Sequence, residues 1–208
     1  EKSEWTAAYG LHAQTQLAPV YFVTTPDGRP TTNSDLGFTR SHHIAIGHTQ
    51  RFSRLWSLKT EAYYQLLFDV PVQDTATNFS MLNAGAYFAP PDEDRLVNNG
   101  QGRNYGLEIT AERTFEHGLY ALMTASLFRS EYRGGDGVWR NTLFDGNYVF
   151  NALGGKEFKM GKGSNTLAID IKATWAGGRR YTPIDVEASI ASGRSVYFED
   201  RAFTGRYK

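Results

Sequence analysis

The chain has 208 residues and no cysteine, and its 22 basic residues balance its 22 acidic residues. This length suits one large all-β domain, the zero net charge gives no electrostatic case for nucleic-acid binding, and the lack of cysteine excludes disulfides and thiolate metal sites. Mean hydropathy is −0.47, and no apolar run approaches the ~20 residues of a membrane helix. Strands of a membrane barrel remain compatible with this composition, because only every second residue of such a strand is apolar.

Alternating apolar and polar residues predict seven strands. They cover residues 4–17, 41–52, 56–70, 103–115, 119–132, 143–158 and 165–176. The last one is the clearest, with Leu167, Ile169 and Ile171 on one face and Asp170 and Lys172 on the other. These strands are roughly twice as long as a typical globular strand of about 5–6 residues.

Short and long connections alternate between the predicted strands. The short ones lie near residues 53–55, 116–118 and 159–164, and the long ones near 18–40, 71–102, 134–141 and 177–208. The first two long connections contain turn-forming runs, including Pro26-Asp27-Gly28 and Pro90-Pro91. An up-and-down barrel then has all short turns at one rim and all long loops at the other, as bacterial outer-membrane barrels do.

Aromatic residues near the strand ends add to this prediction, because interfacial girdles are built from them. They are Trp5, Phe52, Trp56, Phe115, Tyr120, Phe158 and Trp175. The pattern favours a transmembrane β-barrel with a wet lumen. A soluble sandwich or lipocalin-like barrel is the alternative, since it has the same period but turns its apolar face inward.

Several stretches are similar to a known family. They include Tyr9-Gly10-Leu11-His12-Ala13-Gln14, Phe68-Asp69-Val70-Pro71-Val72, Asn104-Tyr105-Gly106-Leu107-Glu108 and the run from Gly177 to Asp185. Together they resemble the C-terminal part of the β-barrel of TonB-dependent outer-membrane receptors of the Bacteroidota type. The resemblance covers nearly the whole chain.

The resemblance implies that residues 1–208 are about seven antiparallel strands of a 22-stranded barrel. A plug domain, a TonB box and the final strands of such a receptor are absent from this sequence, so we expect the chain to be part of a longer protein. The implied function is to bind a scarce nutrient, small or oligomeric, at the surface of the bacterial outer membrane and import it with energy transduced by TonB. The implied partners are outer-membrane lipid, lipopolysaccharide and TonB itself, with no nucleic acid.

Two other functions stay open at this point. One is a non-transporting β-barrel surface-binding protein, and the other is a soluble β-barrel domain that binds a small ligand.

Two groups of loop residues are predicted to contact the substrate. Asp136, Trp139 and Arg140 follow a glycine-rich run, and Arg179 and Arg180 precede Tyr181. Arginine offers bidentate donors and tyrosine offers a stacking ring, which suits an anionic or sugar-rich ligand. The alternative is that these residues pack the loops or contact lipopolysaccharide phosphates.

No catalytic residue, metal site or cofactor is predicted. His42 and His43 are adjacent and so point to opposite faces of a strand, and a solvated loop explains the acidic run 92–94 better than a Ca²⁺ site does. Glu108 and Glu112 would lie roughly 13 Å apart along a strand, which exceeds the separation in glycosidases. With no nucleophile elbow, phosphate loop or zinc signature, the sequence does not predict an enzyme.

Overall fold

A computed structural model describes residues 2–25, 28–29, 31–84, 92–161 and 163–207. Strands make up 58% of the fold and helices 10%, which confirms the all-β prediction. The turn-forming pairs Pro26-Asp27 and Pro90-Pro91 lie outside the described residues.

Ten strands, two α-helices and three 3₁₀ turns occur among the described residues. The strands are β1 (Lys2–Gln14), β2 (Thr39–Arg51), β3 (Trp56–Gln73), β4 (Leu96–Glu116), β5 (Leu119–Arg133), β6 (Trp139–Asn141), β7 (Tyr148–Lys159), β8 (Thr166–Ala176), β9 (Arg180–Tyr181) and β10 (Gly205–Arg206). The helices are α1 (Ala18–Tyr21) and α2 (Val186–Ser192), and the 3₁₀ turns are Thr32–Asp35, Met81–Asn83 and Glu199–Arg201.

The long strands form one antiparallel meander in the order β1-β2-β3-β4-β5-β7-β8, and the short β6 pairs with β5. Each long strand therefore pairs with its neighbour along the chain, as the up-and-down prediction requires. The sheet is open, because within the described residues β1 and β8 each pair on one side only. Strands β9 and β10 form a separate two-stranded ribbon.

Helices long and apolar enough to cross a membrane are not found in the described part of the chain.

The strand registers align the predicted faces across the whole sheet. One row runs through Tyr9, Ile44, Tyr64, Tyr105 and Arg129, each directly opposite the next. We call the side that carries this row the apolar face, because it also holds most of the large hydrophobic side chains of the strands. The other side, the polar face, carries charged and amide side chains, linked in places by hydrogen bonds between neighbouring strands.

Little of the apolar face is covered within the described chain. Trp5 is 72% exposed, Ile171 is 69% exposed and Trp175 is 67% exposed. The buried hydrophobic cluster lies instead among the long connections, where Val20, Leu36 and Leu96 pack together. At the loop end of the sheet Val70 and Val72 of β3 and Tyr132 of β5 are also buried, whereas Leu107 and Ile109 in the middle of the apolar face remain partly exposed.

On the polar face, Gly155 leaves room for a contact between two larger side chains on the neighbouring strands. The hydroxyl of Tyr120 donates to Oδ1 of Asp170 over a distance of 2.7 Å, and Gly155 on β7 lies between these two residues. A Cβ at this position would overlap both the Tyr120 ring and the Asp170 carboxylate. Tyr120 thus lies on the polar face, whereas the sequence had placed it in an aromatic girdle.

Two strands extend further than their residue patterns predict. β3 continues to Gln73 and β4 begins at Leu96, and the added segments pair with each other. Asp69 has a φ of 56°, and the register shifts on either side of Val70. Pro71 is accommodated at this irregularity, where a missing N–H costs little.

Candidate functional site

The candidate site lies among the long connections, which gather at one end of the sheet. We call the described parts of residues 15–38, 74–95, 134–147 and 177–207 the loop cap. The amide of Asp136 donates to the carbonyl of Thr77 over 3.1 Å, and the amide of Arg180 donates to the carbonyl of Leu143 over 3.1 Å. These bonds join three of the four connections directly to one another.

Asn33 attaches the fourth connection to the sheet. Its side chain is fully buried, its amide nitrogen donates to the carbonyls of Val20 (3.1 Å) and Glu93 (2.9 Å), and its oxygen accepts from the amide of Leu96 (2.9 Å). The sequence analysis missed this residue. In the sequence, Asn33 belongs to the turn-forming run Asn33-Ser34-Asp35, and such a run does not indicate which distant residues it contacts.

The loop cap folds over the polar face. A Cβ at Gly102, a polar-face position of β4, would overlap the side chain of Leu82. Tyr132, a polar-face position of β5, is completely buried, and its ring meets that of Phe203 edge-on at 6.0 Å. The polar face is therefore the covered side at this end of the sheet.

The first predicted group is divided between the two faces. Asp136 and Arg140 come together, with 2.7 Å between Oδ2 and Nη2 and side-chain exposures of 19% and 12%. Arg140 pairs in register with the buried Tyr132, so this ion pair lies on the polar-face side. Trp139 lies on the other side, with its ring centroid 4.5 Å from the guanidinium carbon of Arg103.

Asp136 is held in its ionised form. Burial raises the pKa of its carboxyl, but hydrogen bonds from Arg140 and from the amide of Val138 outweigh burial and hold that pKa below its ordinary value. The Tyr132 hydroxyl nearby has no hydrogen-bond partner within the described part of the chain. The polar-face side of the loop cap thus holds an ion pair beside a buried hydroxyl.

Arg180 is engaged inside the loop cap. Its Nη2 lies 2.9 Å from Oδ2 of Asp145, a residue with 0% exposure. The same carboxylate accepts from the amide of Ser130 at 3.0 Å and from the side-chain nitrogen of Asn147 at 3.0 Å. Arg180 therefore pins residues 177–207 to the β5–β7 connection, and its guanidinium is mostly hidden.

Arg179 and Tyr181 are not bound to a buried carboxylate as Arg180 is. The side chain of Arg179 is exposed, and no hydrogen bond or ion pair of that side chain occurs within the described residues. Its carbonyl accepts from the amide of Tyr207 at 3.0 Å, and the ring of Tyr181 lies 4.7 Å from that of Tyr207. The six predicted residues thus do not form one pocket, although Asp136 and Arg140 are in contact.

Within the described ranges, no group of three or more histidine, aspartate or glutamate residues is arranged to hold an ion. Glu61 and Glu108 face each other across β3 and β4, and Lys59 neutralises Glu61 at 3.0 Å.

No protein-family model, curated protein or solved structure matches the chain.

Proposed function

We propose that the chain is a section of the wall of a β-barrel in the bacterial outer membrane, belonging to a TonB-dependent receptor that binds a scarce nutrient and imports it. The observation that supports this best is the exposed apolar face, which runs unbroken across the seven long strands. Soluble monomers rarely expose apolar patches larger than a few hundred Å². If the apolar face contacts the hydrocarbon of a bilayer, its side chains are not exposed to water.

The loop cap argues against a soluble barrel with an apolar interior. In such a barrel the apolar face would be concave and would be covered at its ends. Here the cap folds over the polar face and buries Tyr132, while Leu107 and Ile109 in the middle of the apolar face remain 40% and 36% exposed. A hydrated lumen on the polar side fits this arrangement.

The width of the apolar face suits a bilayer. On β3 it extends from Trp56 to Phe68, which are 12 residues apart and thus roughly 40 Å apart along the strand. A strand tilted by about 45° would span roughly 28 Å, close to the ~25 Å apolar band of outer-membrane barrels. Trp56 then lies near the short-turn rim and Phe68 near the loop rim.

The open edges of the sheet support a larger closed barrel. β1 and β8 each have one unpaired edge in the described chain, and backbone groups left unpaired in hydrocarbon cost several kcal/mol each. We propose that both edges continue into further strands of a 22-stranded barrel that contains a plug. The plug would connect to TonB, and the loop cap would contribute to ligand capture at the cell surface.

The ligand-contacting part of this proposal rests on three exposed or polar elements of the loop cap. The Asp136–Arg140 ion pair faces the lumen side, Arg179 directly precedes β9, and Tyr181 lies on the β9–β10 ribbon. These groups suit a nutrient with anionic or hydroxyl-rich chemistry. We leave Arg180 out of the proposed contacts, because its guanidinium is bound to Asp145.

The proposal is tested by measuring which face of the sheet is in contact with lipid. The chain has no cysteine, so Ile169→Cys on the apolar face and Thr174→Cys on the polar face of β8 each add one labelling site. In lipid vesicles, a fluorophore on Ile169→Cys should be quenched by a lipid-phase spin label, and one on Thr174→Cys by a water-soluble quencher. The reverse result would favour the soluble barrel.

A second measurement tests the receptor part of the proposal. The species carrying this sequence should appear in the outer-membrane fraction with a mass several times 23.3 kDa. A species of 23.3 kDa in soluble fractions would refute the receptor assignment, whatever the labelling shows.

A further inference from the structure

We propose that the apolar face carries a binding site for an anionic membrane lipid, with the lipid phosphate at Arg129 and an acyl chain in a groove across β4, β5, β7 and β8. This inference rests on the proposed function, because it requires the apolar face to meet a bilayer. It goes further by naming one position on the face and one class of lipid.

The groove is formed where small side chains meet across four neighbouring strands. It has a volume of about 430 Å³ and a lining that is mostly apolar. Four alanines, Ala111, Ala125, Ala152 and Ala173, line it together with larger side chains such as Phe150 and Trp175. An acyl chain can fill such a depression with close contacts.

A second cavity of about 350 Å³ lies beside the groove, toward the loop rim. It is lined by Tyr105, Leu127 and Arg129, among others. Arg129 follows Ala125 by four residues on the same face of β5, a distance of roughly 13 Å along the strand. A lipid aligned with β5 would place its phosphate at Arg129 and its chain in the groove.

Arg129 is available for a ligand because the nearest carboxylate, that of Asp145, already has other hydrogen-bond donors. Asp145 lies 3.6 Å from Arg129, but that carboxylate is bound at 2.9 Å by Arg180 and also accepts from Ser130 and Asn147. The Arg129 side chain is 50% exposed. Its guanidinium can therefore donate to a phosphate without exposing a buried charge.

The surrounding charges favour an anion over a neutral lipid. Arg133, four residues beyond Arg129 on the same face, is exposed and makes no ion pair within the described residues. Arg103 is neutralised by Glu131 at 2.6 Å. The rim above the groove therefore has an excess of positive charge, which complements a lipid phosphate.

The test compares two lipids at two reporter positions. The protein is placed in phosphatidylcholine vesicles that contain either brominated phosphatidylglycerol or brominated phosphatidylcholine. A bimane fluorophore is attached at Ile171→Cys, which lies beside the groove, or at Ile46→Cys, which lies on the same face of β2. Both parent side chains are well exposed, at 69% and 54%, so the two reporters are matched.

We expect half-maximal quenching at Ile171→Cys with about fivefold less brominated phosphatidylglycerol than brominated phosphatidylcholine, since one arginine near an anionic lipid contributes about that factor. At Ile46→Cys the two lipids should quench equally. Arg129→Gln should remove the preference and Arg129→Lys should retain it. Arg194→Gln, which changes the same charge at an exposed loop position, should leave the preference intact.

The outcomes separate this inference from the proposed function. Equal quenching by both lipids at both positions would refute the lipid site and leave the membrane wall standing. Quenching by neither lipid at either position would refute both. Protection of Ile171→Cys alone would mean that another protein surface covers the groove, which would also overturn the lipid site.

Discussion

The most informative perturbation is the removal of the Asp145 carboxylate, which holds two parts of the loop cap together. The substitution Asp145→Ala would leave the Arg180 guanidinium, only 11% exposed, without its counter-charge. Breaking a buried ion pair by removing one partner costs about 3–5 kcal/mol. The amide of Ser130 would also lose its acceptor.

This loss should appear as local opening rather than global unfolding, because Asp145 contacts the long strands at the loop end of β5, through Arg129 and Ser130. Destabilising the closed cap by about 3–5 kcal/mol raises the population of the open cap by roughly 10²- to 10⁴-fold. The assay is hydrogen exchange of the amides of Arg180 and Tyr207, which donate to Leu143 and Arg179. Amides in the middle of β4 serve as an internal reference.

The matched control is Asp200→Ala, because Asp200 is 78% exposed and lies 3.9 Å from Arg201. It should change exchange of the same amides by no more than about twofold, as surface substitutions do. If Asp145→Ala also stays within that range, the reasoning about the buried pair is wrong.

Three further predictions concern the sheet and the loops. Ile169→Arg should lower the free energy of unfolding in vesicles by about 2–4 kcal/mol if the residue lies near the bilayer midplane, whereas Thr174→Arg on the polar face should have little effect; equal losses in a urea titration would argue against a lipid-facing Ile169. Gly155→Ala should destabilise by about 1–3 kcal/mol through overpacking, because its Cβ overlaps Asp170 and the Tyr120 ring; adding Asp170→Ala should recover part of this in the same titration, and no recovery would contradict the contact. The lowered pKa of Asp136 means that its ion pair stabilises the loop above the ordinary carboxyl pKa of 3.8 and that this stabilisation is lost as pH falls through the native pKa. Protection of residues 134–138 from an acid-active protease should therefore fall in that range, and Asp136→Asn should show no such pH dependence.

The strands and their faces were predictable because each depends on residues close together in the chain. Thr166–Ala176 begins and ends within one residue of its prediction, and its apolar positions are the ones that the period of two identified. The three short connections also match, since turn residues between two alternating runs leave little choice of pairing.

The candidate site was predictable only in part. The glycine-rich run indicated a loop at Asp136 and Arg140, but the ion pair between these two residues was not predicted. The partner of Arg180 was not predicted, because Asp145 lies 35 residues away and carries no pattern of its own. A loop arginine looks the same in the sequence whether it faces solvent or a buried carboxylate.

The sequence by itself determined the strand period, the two chemically distinct faces and the alternation of short and long connections, because side-chain alternation and turn chemistry act over a few residues. Only the tertiary structure decided which face the long connections cover, where β4 begins and how Tyr120 is turned. Those features depend on contacts such as the bond between Asn33 and Leu96, which spans 63 residues of sequence. Long-range bonds of this kind are set by how the registered strands bring distant loops together, and no local pattern encodes them.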